Sequence, residues 1–188
     1  SPGLGAARKL LKALEEGKIS EHTIDERVDE LLDLALSTDE AIQKAPRKFD
    51  EAAHHQLAKR AAAESIVLLK NENGILPLKH SKKVTLIGDF AIKPRYQGAG
   101  SSMVNPTRLD SLKDAAEAAG LNLIGYCSGY ERSGKPNKAY LEEAVAQAKM
   151  AEVVILCIGL DESSESEGLD RSHICIPAVQ KQLLDAVA

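Results

Sequence analysis

Two polar stretches of this chain carry the side chains that could act on a ligand. The first is Asp161–Arg171, DESSESEGLDR, with five carboxylates and one guanidinium in eleven positions. It follows the apolar run Val153–Leu160 and precedes Ile176-Pro177, where a helical pattern begins. An apolar run of that length followed by a polar segment reads as a buried strand delivering a loop. In a parallel α/β sheet, loops at the carboxyl ends of strands are where ligands and chemistry sit. Taken alone, the composition is that of a solvated acidic loop. The second stretch, Ala91–Pro106, offers a cation (Arg95), an aromatic (Tyr96), an amide (Gln97), the flexible Gly98-Ala99-Gly100 backbone, and two hydroxyls (Ser101 and Ser102). GAGSS is not a dinucleotide fingerprint, because Met103 stands at the last glycine position, and it lacks the lysine of a phosphate loop. Amide and hydroxyl groups beside an acidic loop suit a polyhydroxylated ligand better than a nucleotide.

Other chemistries fit less well. Cys127, Cys157 and Cys175 are scattered, with no CxxC pair to suggest zinc. Cys127 and Cys157 fall in or beside strand-like runs and read as small buried residues. His54 and His55 are adjacent on a helical stretch, so they diverge by about 100° and cannot share a metal. No metal and no cofactor are expected. The chain has 188 residues, 44% apolar and 28% charged, an ordinary globular balance. A net charge of −4, without a Lys/Arg stripe, argues against a nucleic-acid partner. No apolar stretch approaches the roughly 18 residues of a membrane span. The chain opens on Ser1, with neither a leader pattern nor a Met, so the true N-terminus is expected to lie elsewhere. The compartment stays open on this reading, with the cytoplasm favoured.

The elements that must position the two stretches follow from period and punctuation. Ala6–Glu16 reads as a helix stopped at Gly17. A second helix is capped by Thr23, with Glu26 in capping-box position, and presents Ile24, Val28, Leu31, Leu32 and Ala35 on one face. Two short amphipathic helices cannot bury that face alone, so a partner upstream is expected. Residues 39–80 read as a connection: a polar stretch with one proline, then an Ala-rich helix over Phe49–Lys70, then a turn at Asn71–Gly74. From Lys83 strands and helices alternate. Val84–Phe90, Leu121–Tyr126 and Val153–Leu160 are predicted strands. Helices are predicted at Arg108–Ala119, opened by Thr107 and Asp110, at Lys138–Lys149, capped by Asn137, and at Pro177–Ala188. The alternation predicts an α/β fold with a mostly parallel sheet flanked by helices. Three strands are few for this class, so further sequence is expected at the C-terminal end too. The expected organisation is 1–38, 39–80 and 81–188.

Four segments, in order, resemble glycoside hydrolase family 3. SPGLGAARKLLKALEEGKISEHTIDERVDELLDLAL is similar to the closing helices of that family's N-terminal (β/α)8-type barrel, and AKRAAAESIVLLKNENGILPL to its linker helix. KVTLIGDFAIKPRYQGAGSSMVNPTRLDSL resembles the first strand of its α/β-sandwich domain with a QGxGSS loop. VVILCIGLDESSESEGLDRSHICIPAVQKQLLDAVA resembles a later strand, an ESEGxDR loop and an LPxxQ-type helix, with Ile176 where the family has Leu. The resemblance implies a retaining β-glycosidase, above all a β-glucosidase, in which a barrel Asp is the nucleophile and a Glu of the sandwich domain is the general acid/base. It places that acid/base at Glu167, with Glu165 as the second choice, because ESEG offers two glutamates and spacing does not separate them. A general acid needs a raised pKa, which burial or negative neighbours supply. The resemblance further implies that Arg95, Gln97, Ser101 and Ser102 line the sugar site. Asp170 and Arg171 would hold the loop, with Arg171 paired to Asp170 or Glu165. The implied partners are a β-glucoside or oligosaccharide substrate and the barrel that carries the nucleophile, while oligomeric state stays open. Alone, the chain is expected not to turn over substrate. Two other readings stand beside this one: a non-catalytic carbohydrate-binding or interaction module of the same fold, and a flavodoxin-like nucleotide binder.

Overall fold

A computed structural model describes residues 5–44 and 48–188. The chain divides into two units, 1–65 and 66–188. In the first, α1 spans Ala6–Glu15, α2 Glu21–Lys44 and α3 Glu51–Ser65. None of their described residues is buried, and Leu10, Leu11, Val28, Leu31 and Leu32 are all exposed. Three local expectations are corrected here. The cap of α2 is Ser20, whose Oγ accepts from Thr23 N–H at 3.1 Å, so Thr23 lies inside the first turn. The helix also runs past residue 38, through Thr38 and a Glu40–Lys44 ion pair one turn apart. The proline of the expected polar connection, Pro46, lies outside the described residues. The third helix stops at Ser65 rather than Lys70; the β-branched pair Ile66-Val67, a poor helix former, follows at once.

The second unit holds a three-stranded parallel sheet in the order β2-β1-β3, with β1 Val84–Ile87, β2 Leu123–Cys127 and β3 Val153–Leu156. All four residues of the central strand are buried, the continuous apolar pattern of a strand covered on both faces. Thr85 is admitted because its hydroxyl donates to Gly125 O at 3.1 Å. Between the strands run α4, Leu112–Ala118, and α5, Lys138–Met150, and α6, Ala178–Val187, follows β3. The β1→β2 and β2→β3 crossovers step in opposite directions, so right-handed connections put α4 and α5 on opposite faces. The core gathers Ile87, Cys127, Tyr130, Ala144 and Leu183.

Asn137 caps α5 as expected, accepting from Tyr140 N–H at 3.2 Å. The expected Thr107 cap is corrected to Ser111, which accepts from Asp114 N–H at 3.1 Å and donates to the Asp114 carboxylate at 2.7 Å. The stretch 107–118 contains two candidate boxes, TRLD and SLKD, and the second one opens the helix. All three predicted strands are also adjusted: β2 starts at Leu123 rather than Leu121 and runs on to Cys127, and the other two are shortened. β1 ends at Ile87; Gly88 follows with φ +122° and leads into a short turn over Asp89–Ala91. β3 ends at Leu156, because its neighbour has no further strand to offer beyond Ile87.

Candidate functional site

In this strand order the connections diverge on either side of β1 and β3, and the crevice between their carboxyl ends is the switch point of the sheet. Both polar stretches leave from there. The loop after β1 is steered first by Arg132. Its Nε lies 3.2 Å from Asp89 Oδ2, an ion pair without hydrogen-bond alignment, and its guanidinium stacks 4.4 Å from the Phe90 ring centroid. It also donates to Lys93 O at 2.5 Å. This delivers Arg95 to the second loop, where its side chain is only 17% exposed. Arg95 donates to Leu160 O at 3.4 Å, to Glu165 O at 2.8 Å, and to the Glu165 carboxylate.

Gln97 closes its own loop. Its amide accepts from Val104 N–H at 2.9 Å and donates to Val104 O at 3.1 Å and Tyr96 Oη at 2.9 Å. Together with Glu162 and Met103, Arg95 and Gln97 line a cleft of about 170 Å³. Ser102 is exposed and makes no hydrogen bond among the described residues.

The acidic loop is built around Asp161, which is 7% exposed. Its carboxylate accepts from Ser163 Oγ, Ser164 N–H and Ser164 Oγ at 2.6–2.9 Å. Burial pulls the carboxyl pKa upward, but the Ser164 and Ser163 donors outweigh it and hold it below the usual value. At the strand exit, Gln180 of α6 is 2% exposed and pairs twice with Gly159, accepting from its N–H and donating to its O, both at 2.8 Å. Tyr130 donates to Cys157 O at 2.8 Å. Sequence reasoning missed these three positioning residues. The signals were there for two of them: an acidic residue two and three places before serines makes an Asx-type turn, and Gln180 shares an apolar helix face with Leu183.

Glu167 fixes the two loops to each other. Its N–H donates to Ala99 O at 2.9 Å, and its Oε2 accepts from Ser101 N–H at 2.6 Å and Ser101 Oγ at 2.5 Å. Between these partners lies Gly100, with φ +120°; a Cβ there would sit 2.4 Å from Glu167 Cβ and 2.5 Å from its Oε2. The Ser101 hydroxyl and then its N–H stabilise the ionised carboxylate and lower its pKa. That direction is opposite to the one a general acid requires. Neither Asp170 nor Arg171 makes a hydrogen bond or ion pair among the described residues, and Glu165 takes Arg95 rather than Arg171 as its partner. Asp170 and Arg171 instead line a cavity of about 290 Å³ with Leu160, Ser164, Leu169 and His173.

A lowered pKa in the folded state means the Ser101–Glu167 tie contributes fully above the ordinary glutamate value of 4.5 and is lost as pH falls through the lower folded value. Proteolytic cutting of the acidic loop is therefore expected to stay slow down to about that pH and rise below it. A rise that begins well above it would contradict the tie.

The geometry defines an open parallel α/β domain whose two polar loops meet at its switch point. Residues 66–188 match the glycosyl hydrolase family 3 C-terminal domain, and the chain belongs to that family. It is 42% identical over 186 residues to the thermostable beta-glucosidase B of Acetivibrio thermocellus, covering 96% of this chain and 24% of that one. It is 38% identical over 190 residues to an exo-alpha-(1->6)-L-arabinopyranosidase of Bifidobacterium breve, covering 96% and 25%. The crystal structure of a Bifidobacterium adolescentis GH3 beta-glucosidase superposes with a TM-score of 0.77 at 38% identity, covering 99% of this chain and 27% of that one. This chain thus spans about a quarter of the length of these relatives.

Proposed function

We propose that this chain is the part of a retaining β-glucosidase that supplies the general acid/base. The nucleophilic Asp would come from a barrel domain of the kind the family resemblance implies. The observation that carries the reading is the two-loop crevice itself, in a chain whose close similarity to named β-glucosidases runs through both loops. In a retaining mechanism the nucleophile and the acid/base stand about 5–5.5 Å apart, one ionised and one protonated. Either Glu165 or Glu167 could provide the second group. At Glu167, a neighbouring nucleophile carboxylate would push the pKa upward, against the pull of the Ser101 donors.

The substrate class follows the same similarity: terminal, non-reducing β-D-glucosyl residues. Arg95, Gln97, Ser101 and Ser102 would line the sugar site. The experiment is hydrolysis of aryl β-D-glucoside, β-D-xyloside and α-L-arabinopyranoside by the protein expressed from its complete reading frame. Preference for the glucoside, with the product first released as the β-anomer, is the expected result. Preference for either pentoside would overturn the glucosidase assignment, and release of the α-anomer would overturn the retaining mechanism.

A further inference from the structure

The loop between β2 and α5 is the third to leave the carboxyl face of the sheet, and its side chains take no part in the hydrogen bonds at Arg95 and Glu167. Its Arg132 works behind them. The side chain is 27% exposed and has three holds on the root of the first loop: the ion pair to Asp89, the donation to Lys93 O and the stack on Phe90. Phe90 carries the contact onward. Its Cε2 approaches Gly159, where an added Cβ would sit 3.8 Å away. With Arg95, Ile158 and Leu160, the Phe90 ring also lines a cleft of about 380 Å³ between the two loop roots.

Two routes therefore run from Arg132 to the acidic loop. One passes through the Phe90 ring to the exit of β3. The other passes through Lys93 to Arg95, and from Arg95 to Leu160 O and Glu165 O. Tyr130 fixes the base of the same loop to Cys157 O at 2.8 Å, so Arg132 pushes from a held support. Arg132 itself is no part of the buried core.

We infer that Arg132 is a positioning residue: by clamping the root of the first loop against the exit of β3, it sets where the acidic loop stands. In the glycosidase reading above, on which the kinetic half of this inference rests, that loop carries the acid/base. Arg132 then governs proton delivery to the leaving oxygen without touching the substrate.

The test uses the protein expressed from its complete reading frame and reads hydrogen exchange beside kinetics. In Arg132→Ala, the Glu167 N–H that bonds Ala99 O is expected to exchange about tenfold faster or more, while Val84 N–H, bonded to Asn122 O at the far end of the sheet, keeps its rate. Arg132→Lys should behave like the alanine variant. Lysine keeps the charge beside Asp89 but has neither a flat face for Phe90 nor a fork that reaches Lys93 O at the same time. In both variants kcat/KM for phenyl β-D-glucoside, whose leaving oxygen needs the proton, is expected to fall about tenfold to a hundredfold. For a dinitrophenyl β-D-glucoside, whose leaving group departs without it, the fall should stay within roughly threefold. A mere loss of folded enzyme would lower both substrates alike.

Unchanged exchange at Glu167, or faster exchange only in step with Val84, would overturn the inference whatever the kinetics. Wild-type behaviour of Arg132→Lys would overturn it too, since charge alone would then suffice. Selectively faster exchange at Glu167 combined with equal losses on both glucosides, or with no turnover by wild type, upholds the clamp and refutes instead the reading that the acidic loop delivers the proton.

Discussion

Gly88→Ala is expected to destabilise the α/β unit by about 3–5 kcal/mol, adding the strain of an L-residue at this φ to the overpacking of a filled site. Gly88 closes the central strand where all three strands end. Its N–H donates to Cys127 O at 3.0 Å, while Cys157 N–H donates to Ile87 O at 2.7 Å. A Cβ at Gly88 would lie 2.1 Å from Cys157 O and 2.9 Å from the carbonyl carbon. Both are backbone atoms, so no side-chain rotation relieves the clash, and β1 must part from β3 at its exit. Thermal unfolding should show a fall in Tm of roughly 10–20 °C. Because both polar loops start within a few residues of this point, activity should fall even in the molecules that remain folded. A Tm within 2 °C of wild type would show that the strand ends yield far more easily than their hydrogen bonds indicate.

Gln180→Leu is the second large effect. The substitution keeps the volume of a fully buried side chain and removes both of its partners for Gly159. The stranded N–H and C=O of Gly159 each cost about 1–3 kcal/mol, so a loss of roughly 2–5 kcal/mol is expected in urea unfolding. Gln180→Glu separates the two bonds: the carboxylate still accepts from Gly159 N–H but faces its carbonyl oxygen with no proton to donate. It should be as damaging as leucine at neutral pH and recover in part where the acid is protonated. Equal stability of wild type and Gln180→Leu would mean that water replaces the amide and that the helix is not what sets the strand exit.

Much of this was legible in the chain. Alternating apolar runs and capped helices predict the parallel α/β arrangement, and the Asn137 cap stands where its sequence puts it. The two polar stretches were visible as loops because composition changes after Phe90 and after Leu160, although the first strand in fact ends before Gly88. Caps were harder wherever two boxes compete within a few residues, as with Thr107 and Ser111, since propensity favours Ser over Thr only modestly and packing decides. The partners of the carboxylates were not legible. Sequence neighbours suggested Arg171 for Glu165, but the cation that arrives is Arg95, 70 positions away, and Ser101 reaches Glu167 from 66 positions away. Such pairs are set by where β1 and β3 end side by side, a property of the sheet rather than of any local pattern. Gln180 illustrates the same point, because a polar residue on an apolar helix face shows that something is satisfied there without showing what.

The interlock of the two loops has a consequence for how such a domain can change over generations. Many of its ties end on main-chain atoms: Ala99 O, Ser101 N–H, Leu160 O, Glu165 O and both groups of Gly159. Main-chain atoms are present whatever the residue. Meanwhile Ser102, Met103, Glu162 and Leu169 stand exposed beside the crevice, with no side-chain hydrogen bond among the described residues holding them to the frame. Those positions can drift toward new ligands while the scaffold beneath them keeps its shape, so diversity at the rim and constancy at the seam are compatible in one small fold.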